Sequence, residues 1–228
     1  MANNVPRRAV SSFNRDDGSG LSGLAHSDSS GQVVARYDEW AATYDADLAA
    51  WGYSVPARLA EGLIARLGAD ATASKAAPVL DAGCGTGLIG RELQHRGVTP
   101  IDGIDASALS LREAERTGAY RSLAAMDLSA PLPLRDASYR AVVCGGVLTY
   151  LPAIEFVLRE LLRVTVPRGW VIATQRTDLW IDRDCDAVME RLAADGCNVE
   201  VGEAQPYLPG HDEYADDILV KTITLQRR

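Results

Sequence analysis

A short apolar run, Val79-Leu80-Asp81, passes through Ala82-Gly83-Cys84-Gly85-Thr86-Gly87 into an amphipathic stretch at 88–96. Three alternating glycines between a strand and a helix constrain the fold more than any other feature. Glycine lets the backbone turn sharply and lets a ligand approach without interference from a Cβ. The helix that follows offers unpaired N–H groups to a polar or anionic part of that ligand. Beyond it, short apolar runs alternate with helical stretches. Strands are expected at 79–81, 100–105, 122–126, 139–144, 170–174, 198–202 and 218–226, and helices at 88–96, 108–116, 153–164 and 184–194. This alternation predicts parallel pairing with helices on both faces, a doubly wound α/β sheet of seven strands. No helical pattern separates 201 from 218, so the last strand is expected to be antiparallel. In an open parallel sheet, ligands bind at the switch point beside the first strand end.

The 228 residues, 47% hydrophobic, are ample for a buried core without a metal or disulfide. Lys+Arg number 23 against 31 Asp+Glu, a formal charge of -8. Binding a polyanion needs a concentrated positive field, so no nucleic-acid partner is expected. No apolar stretch approaches the ~20 residues that span a bilayer, and residues 1–12 lack the apolar region of a signal peptide. No membrane partner is expected, and the location is read as cytoplasmic. Cys84, Cys144, Cys185 and Cys197 form no C-x-x-C pair and no metal-ligand spacing. Residues 1–31, rich in Ser, Gly, Asn and Asp, are expected to form a disordered tail. Residues 32–228 then form one domain, a helical cap at 32–70 and an α/β core at 78–228. In the cap, Val33, Tyr37, Trp40 and Tyr44 share one helix face, and a second helix begins near Pro56 with Leu59, Leu63, Ile64 and Leu67 inside.

Two acids stand at the next strand ends. Asp105 follows the glycine loop by about the ~20 residues expected of a carboxylate that holds both hydroxyls of a ribose. Asp127, in Met126-Asp127-Leu128, can accept from the exocyclic amine of adenine, with Met126 or Leu128 against the ring. The three strand ends describe one nucleoside-shaped site. Gly85-Thr86-Gly87-Leu88-Ile89-Gly90 formally matches G-x-G-x-x-G, so a dinucleotide is one candidate. Asp81 weighs against it, because a carboxylate is awkward beside a pyrophosphate and suits a ligand with an ammonium and a sulfonium.

These segments together resemble the class I S-adenosylmethionine-dependent methyltransferases, whose sheet is Rossmann-like. Residues 79–87 are similar to the first motif of that family and 103–107 to its ribose segment. Asp127 matches its adenine-contacting acid, 139–152 its fourth motif, and 163–174 the turn into its fifth strand. Tyr37-Asp38-Glu39-Trp40-Ala41-Ala42-Thr43-Tyr44-Asp45 is similar to the entry helix of a small-molecule subgroup. The resemblance implies S-adenosyl-L-methionine as cofactor and S-adenosyl-L-homocysteine as product. It places Tyr37, Tyr44, Asp81, Gly83, Cys84, Gly85, Gly87, Asp105, Ala106, Met126, Asp127, Leu128 and Gly145 at the cofactor. Tyr139-Arg140 stands where the family often has Phe-Asp, and Arg168 where it often has glycine.

Methyl transfer needs positioning above all, worth ~7–11 kcal/mol when good, so the fold dictates no obligatory catalytic residue. An oxygen or nitrogen acceptor can still require a base. Tyr150, just after the fourth strand, and His211, with Tyr214 in the same loop, are the candidates. Asp212, Glu213, Asp216 and Asp217 read as a solvated face. Enzymes that methylate base amines typically carry an Asn/Asp-Pro-Pro-aromatic loop where this chain has Gly145-Gly146-Val147-Leu148. The expected acceptor is therefore a small molecule such as a secondary metabolite, bound by a monomer or homodimer. A protein methyltransferase, a non-methylating enzyme on the same cofactor site and a binding module remain open.

Overall fold

The computed structural model describes Trp40 and residues 43–68, 77–211 and 218–228. The tail at 1–31, Val33, Tyr37, Tyr214 and the acids Asp212, Glu213, Asp216 and Asp217 lie outside the described residues.

Among the described residues, the helices α1 (Tyr44–Ala50) and α2 (Val55–Leu67) precede the sheet. Pro56 sits in the first turn of α2, where its missing N–H has no intrahelical partner to lose. The core then runs β1 (Val79–Ala82), α3 (Leu88–His95), β2 (Ile101–Asp105), α4 (Ala108–Arg116), β3 (Ser122–Ala125), β4 (Tyr139–Cys144), α5 (Ile154–Val164), β5 (Thr165–Arg176), α6 (Cys185–Ala194), β6 (Asn198–Val201), β7 (Gln205–Pro206) and β8 (Leu219–Gln226). The sheet order is β3-β2-β1-β4-β5-β8-β6. Strands β1 to β5 pair in parallel, and β8 runs antiparallel between β5 and β6. The expected seven-stranded path, mostly parallel with an antiparallel last strand, is therefore present. A further two-residue strand, β7, pairs with β8 beyond the end of β6.

Alternation along the strands separates two cores. Leu80, Val142, Val171 and Ala173 face a layer built with α5 and α6. Val79, Ala141, Val143 and Ile172 face Leu59 and Leu63 of α2 and Ile89 and Leu93 of α3. Strands β1 and β4 are buried along their whole length, which explains why they read as mainly apolar runs broken only by Asp81 and Arg140. β2 and β4 flank β1, so the order reverses there and opens a crevice at the carboxyl ends of all three.

Of the expected cap helix, Trp40 is helical and Tyr44 opens α1, while Val33 and Tyr37 lie outside the described residues. One stretch differs from expectation. β5 starts directly after α5, five residues earlier than the expected 170. Its pairing with β4 jumps from Tyr139↔Thr165 to Ala141↔Trp170, so the strand carries a bulge. Arg168 sits in that bulge at φ 64. The excursion is held from the other end of the chain, by Arg168 N–H donating to the Arg227 carbonyl and Arg227 N–H to the Gly169 carbonyl.

Candidate functional site

At the reversal point, β1 runs straight into the glycine turn. Gly83 adopts φ +74, and a Cβ there would lie 2.3 Å from Val147 Cγ2. Only glycine lets this turn pass beneath the loop that follows β4. Gly83 and Cys84 both donate N–H to the Ile104 carbonyl, which fixes the turn against β2. The next N–H, of Gly85, donates to Asp105 Oδ2 at 2.8 Å. Ser107 N–H donates to Asp105 Oδ1, also at 2.8 Å. Ser107 is in turn the N-cap of α4, its hydroxyl accepting from Ser110 N–H. The Asp105 carboxylate is thus oriented at both oxygens by backbone donors. Asp127 Oδ1 is fixed in the same manner by the N–H and hydroxyl of Ser129.

These elements surround a cleft at the carboxyl ends of the strands. The expected residues Tyr44, Gly83, Gly85, Asp105, Ala106, Met126, Asp127, Leu128, Gly145 and Tyr150 all line it. Ser107, Ser110, Gly146, Val147 and Leu151 join them without having been singled out in the sequence.

Four expected site residues are not on the cleft wall. Gly87 begins α3 behind the turn. The Cys84 side chain is buried, and desolvation pushes its thiol well above the ordinary range, so it is a neutral space-filler. His211 is the clearest departure. It is 1% exposed and packs edge-on against Trp51, ring centres 4.6 Å apart. The loop expected to be solvated is drawn inward by two backbone bonds, Gly210 N–H to the Trp51 carbonyl and His211 N–H to the Leu208 carbonyl. Tyr37 lies outside the described residues.

Asp81 is the fourth. It is fully buried, and its carboxylate is held from beneath by Tyr120, whose Oη donates to Oδ2 at 2.7 Å. The backbone N–H of Gly90 donates to the same carboxylate. Oδ1 is buried without a hydrogen-bond partner among the described residues. Burial is the main reason that the carboxyl is lifted to about 7, with the charge of Asp105 adding to it and the two hydrogen bonds opposing it.

Tyr120 was missed in the sequence, yet the third formal glycine is explained by it. A Cβ on Gly90 would fall 2.3 Å from Tyr120 Cζ and Oη, and one on Gly103 would fall 2.9 Å from Cε1. Gly90 therefore makes room for a tyrosine ring, and the match to G-x-G-x-x-G has a packing origin here. The recognisable signal was a glycine in a helix with no turn to make.

The cap is tied to the turn by charge. Asp45 of α1 accepts from Thr86 Oγ1 at 2.6 Å and pairs with Arg91 of α3 at 3.2 Å. Trp40, buried, donates from Nε1 to Asp47 and packs against Tyr44 and Trp51. This aromatic cluster, with Leu48, Leu208 and Ile218, closes over the strand ends beside Tyr44 and Tyr150. Burial raises the Tyr44, Tyr53 and Tyr207 hydroxyls well above their ordinary range, so each is a neutral donor. Among the described residues no helix is long and apolar enough to cross a membrane.

Comparison with known proteins agrees with this geometry. The family model described as a methyltransferase domain matches residues 80–173. The chain is 33% identical over 169 residues to human methyltransferase-like protein 27, covering 72% of this chain and 67% of that protein. It is 35% identical over 100 residues to ubiquinone biosynthesis O-methyltransferase of Chromobacterium violaceum, with 41% of each chain covered. Among solved structures, an S-adenosylmethionine-dependent methyltransferase of Thermotoga maritima, described as a possible histamine N-methyltransferase, superimposes with a TM-score of 0.59 at 13% identity. That match covers 86% of this chain and 99% of that one. With its strand order, its glycine turn and its paired strand-end acids, the chain belongs to the class I S-adenosylmethionine-dependent methyltransferases.

Proposed function

We propose that this protein transfers a methyl group to a small-molecule acceptor. The observation that carries the reading is the single cleft in which Asp105, Asp127 and the glycine turn meet the aromatic cap at Tyr44 and Tyr150. When bound, S-adenosylmethionine supplies a methyl carbon activated by a sulfonium, and S-adenosylhomocysteine remains after in-line displacement.

Each residue has a role that its surroundings support. Asp105, pre-oriented by Gly85 and Ser107, accepts from the two ribose hydroxyls. Asp127 accepts from the adenine amine while Met126 and Leu128 cover the ring. Asp81 supplies negative charge beneath the glycine turn, toward the methionine ammonium. Its buried, unpartnered Oδ1 is an orphan that a cationic ligand would relieve and a pyrophosphate would aggravate. Tyr44 and Tyr150 stand where the cleft meets the cap and exclude water from the acceptor side. The small-molecule class is supported by the closed aromatic cap and by relatives such as the ubiquinone O-methyltransferase.

Calorimetric titration of S-adenosylmethionine, S-adenosylhomocysteine and NAD⁺ tests the cofactor half. Micromolar binding of the first two without the third is expected, and NAD⁺ binding would overturn it. Mass spectrometry of a small-molecule panel incubated with deuteromethyl cofactor tests the transfer.

A further inference from the structure

β5 ends in two residues that the cofactor site does not use. Thr174 accepts from Gly146 N–H at 2.9 Å, which ties β5 to the loop lining the cleft. Two residues on, and on the same sheet face, comes Arg176, opposite Val220 of β8. Arg176 and Asp178 form a two-point pair, Nε to Oδ1 at 3.0 Å and Nη2 to Oδ2 at 2.6 Å. The pair is lopsided: the Arg176 side chain is 4% exposed and that of Asp178 34%. Water therefore screens the anion more than the cation, and neither hydrogen bond of the pair uses Arg176 Nη1.

The face that Arg176 shares with Val220 carries Tyr53 and Tyr207. Their rings meet edge to face at 5.4 Å, and Tyr53 donates to the Tyr207 hydroxyl. Both hydroxyls crowd Gly146, where a Cβ would lie 3.0 Å from Tyr53 Oη and 3.4 Å from Tyr207 Oη. Tyr150 and Tyr207 stand within electrostatic reach of the Arg176 guanidinium. Arg58 of α2 stands within electrostatic reach of Tyr53, with Nε and Nη2 buried and unpartnered among the described residues. Two guanidiniums thus lie within electrostatic reach of this pair of neutral tyrosines in a chain whose net charge is -8.

We propose that Arg176, with Tyr207, anchors the carboxylate of an apolar carboxylic acid acceptor, whose hydrocarbon body lies in the aromatic cap. This rests on the methyltransferase reading and adds the acceptor's chemical class. A guanidinium edge matches a planar two-oxygen group, and hydroxyl donors complete its shell. Asp178 beside the site disfavours a dianion such as phosphate and tolerates a monoanion. Aromatic walls from Tyr53, Trp51 and Tyr44 suit a flat or aliphatic body.

The test uses the full chain saturated with S-adenosylhomocysteine and titrated with benzoate, phenylacetate, cinnamate and octanoate, each against its neutral amide. At least one acid is expected to bind tenfold or more tighter than its amide. Arg176→Met is expected to erase that preference while homocysteine-cofactor affinity and melting temperature stay near wild type. Asp178→Asn, which keeps the cation and removes its screened counter-charge, is expected to tighten acid binding severalfold; a purely structural ion pair would give no gain. Equal binding of acids and amides, or a preference that survives Arg176→Met, overturns the assignment while leaving the cofactor site standing. Failure of the wild type to bind S-adenosylhomocysteine at all overturns the methyltransferase reading and this proposal with it.

Discussion

Gly90→Ala is ordinarily a stabilising change, since alanine in a helix is favoured over glycine by up to about 1 kcal/mol. Here the sign should reverse. The new methyl would stand 2.3 Å from Tyr120 Cζ and Oη, far inside van der Waals contact, so the ring must leave. Tyr120 is confined by Gly87 and Gly103 as well, so there is little slack for a small shift. Overpacking of this kind costs about 1–3 kcal/mol. Moving the ring also breaks its hydrogen bond to Asp81, which is worth roughly 1.5–3 kcal/mol for a charged acceptor. Offsetting the helix gain, the net loss is about 2–4 kcal/mol, or roughly 5–15 °C in melting temperature for a chain of this size. Urea unfolding at pH 8 measures the change. Because the cost arises from one ring, Tyr120→Ala on the Gly90→Ala background should cost about 1.5 kcal/mol less than the same change in wild type. Gly90→Ala as stable as wild type, or strictly additive with Tyr120→Ala, would refute the account of the third glycine.

Asp105→Ala should weaken S-adenosylhomocysteine binding by about 100-fold or more, the loss of two charge-assisted hydrogen bonds of roughly 1.5–3 kcal/mol each, with little change in melting temperature; unchanged affinity in calorimetry would remove the ribose assignment. Asp81 makes cofactor binding pH-dependent. Its folded carboxyl keeps a proton up to about 7 against about 4 in the unfolded chain, so its stability contribution is fully present below about pH 4 and is lost as pH rises through 7. A ligand ammonium favours the ionised form, so affinity should rise about tenfold from pH 6 to pH 8 with proton release, and Asp81→Asn should flatten the profile. Arg168→Gly should raise stability by roughly 0.5–1 kcal/mol, because a left-handed residue costs about 1–2 kcal/mol and glycine returns part of that through the unfolded chain; a lower melting temperature would show that the bulge uses the arginine side chain.

What the sequence disclosed is what depends on neighbours in the chain. Strands buried on both faces, such as β1 and β4, announce themselves as apolar runs, and an acid at a strand end inherits its place from the strand. Asp105 needs only Gly85 and Ser107 to be oriented, and both stand in motifs visible at short range. Tyr120 reaches Asp81 across 39 residues, and nothing in Thr117-Gly118-Ala119-Tyr120-Arg121 signals that reach. His211 looks solvated in Pro209-Gly210-His211 because the contact that buries it, Trp51, lies in another helix's exit. The extra length of β5 depends on Arg227 at the far end of the chain. Each miss is a case in which a distant contact overrode a local pattern.

The same distinction separates the two halves of the site. The cofactor half is made largely of backbone: glycines that permit close approach and N–H groups that aim carboxylates. The family match at 80–173 encompasses its turn and both of its strand-end acids. The proposed acceptor half is assembled from side chains on separate segments, Tyr53 and Arg58 before that match and Arg176 and Tyr207 after it. Tyr44, the Gly146 loop and Tyr150 join the halves. Acceptor residues on separate elements can change without disturbing the glycine turn, so likeness over the cofactor half carries the cofactor and not the acceptor. Acceptor identity has to be read from charge and shape in the cap. There the feature with the most to say is a guanidinium 4% exposed, paired with a carboxylate that water reaches more freely than it reaches the cation.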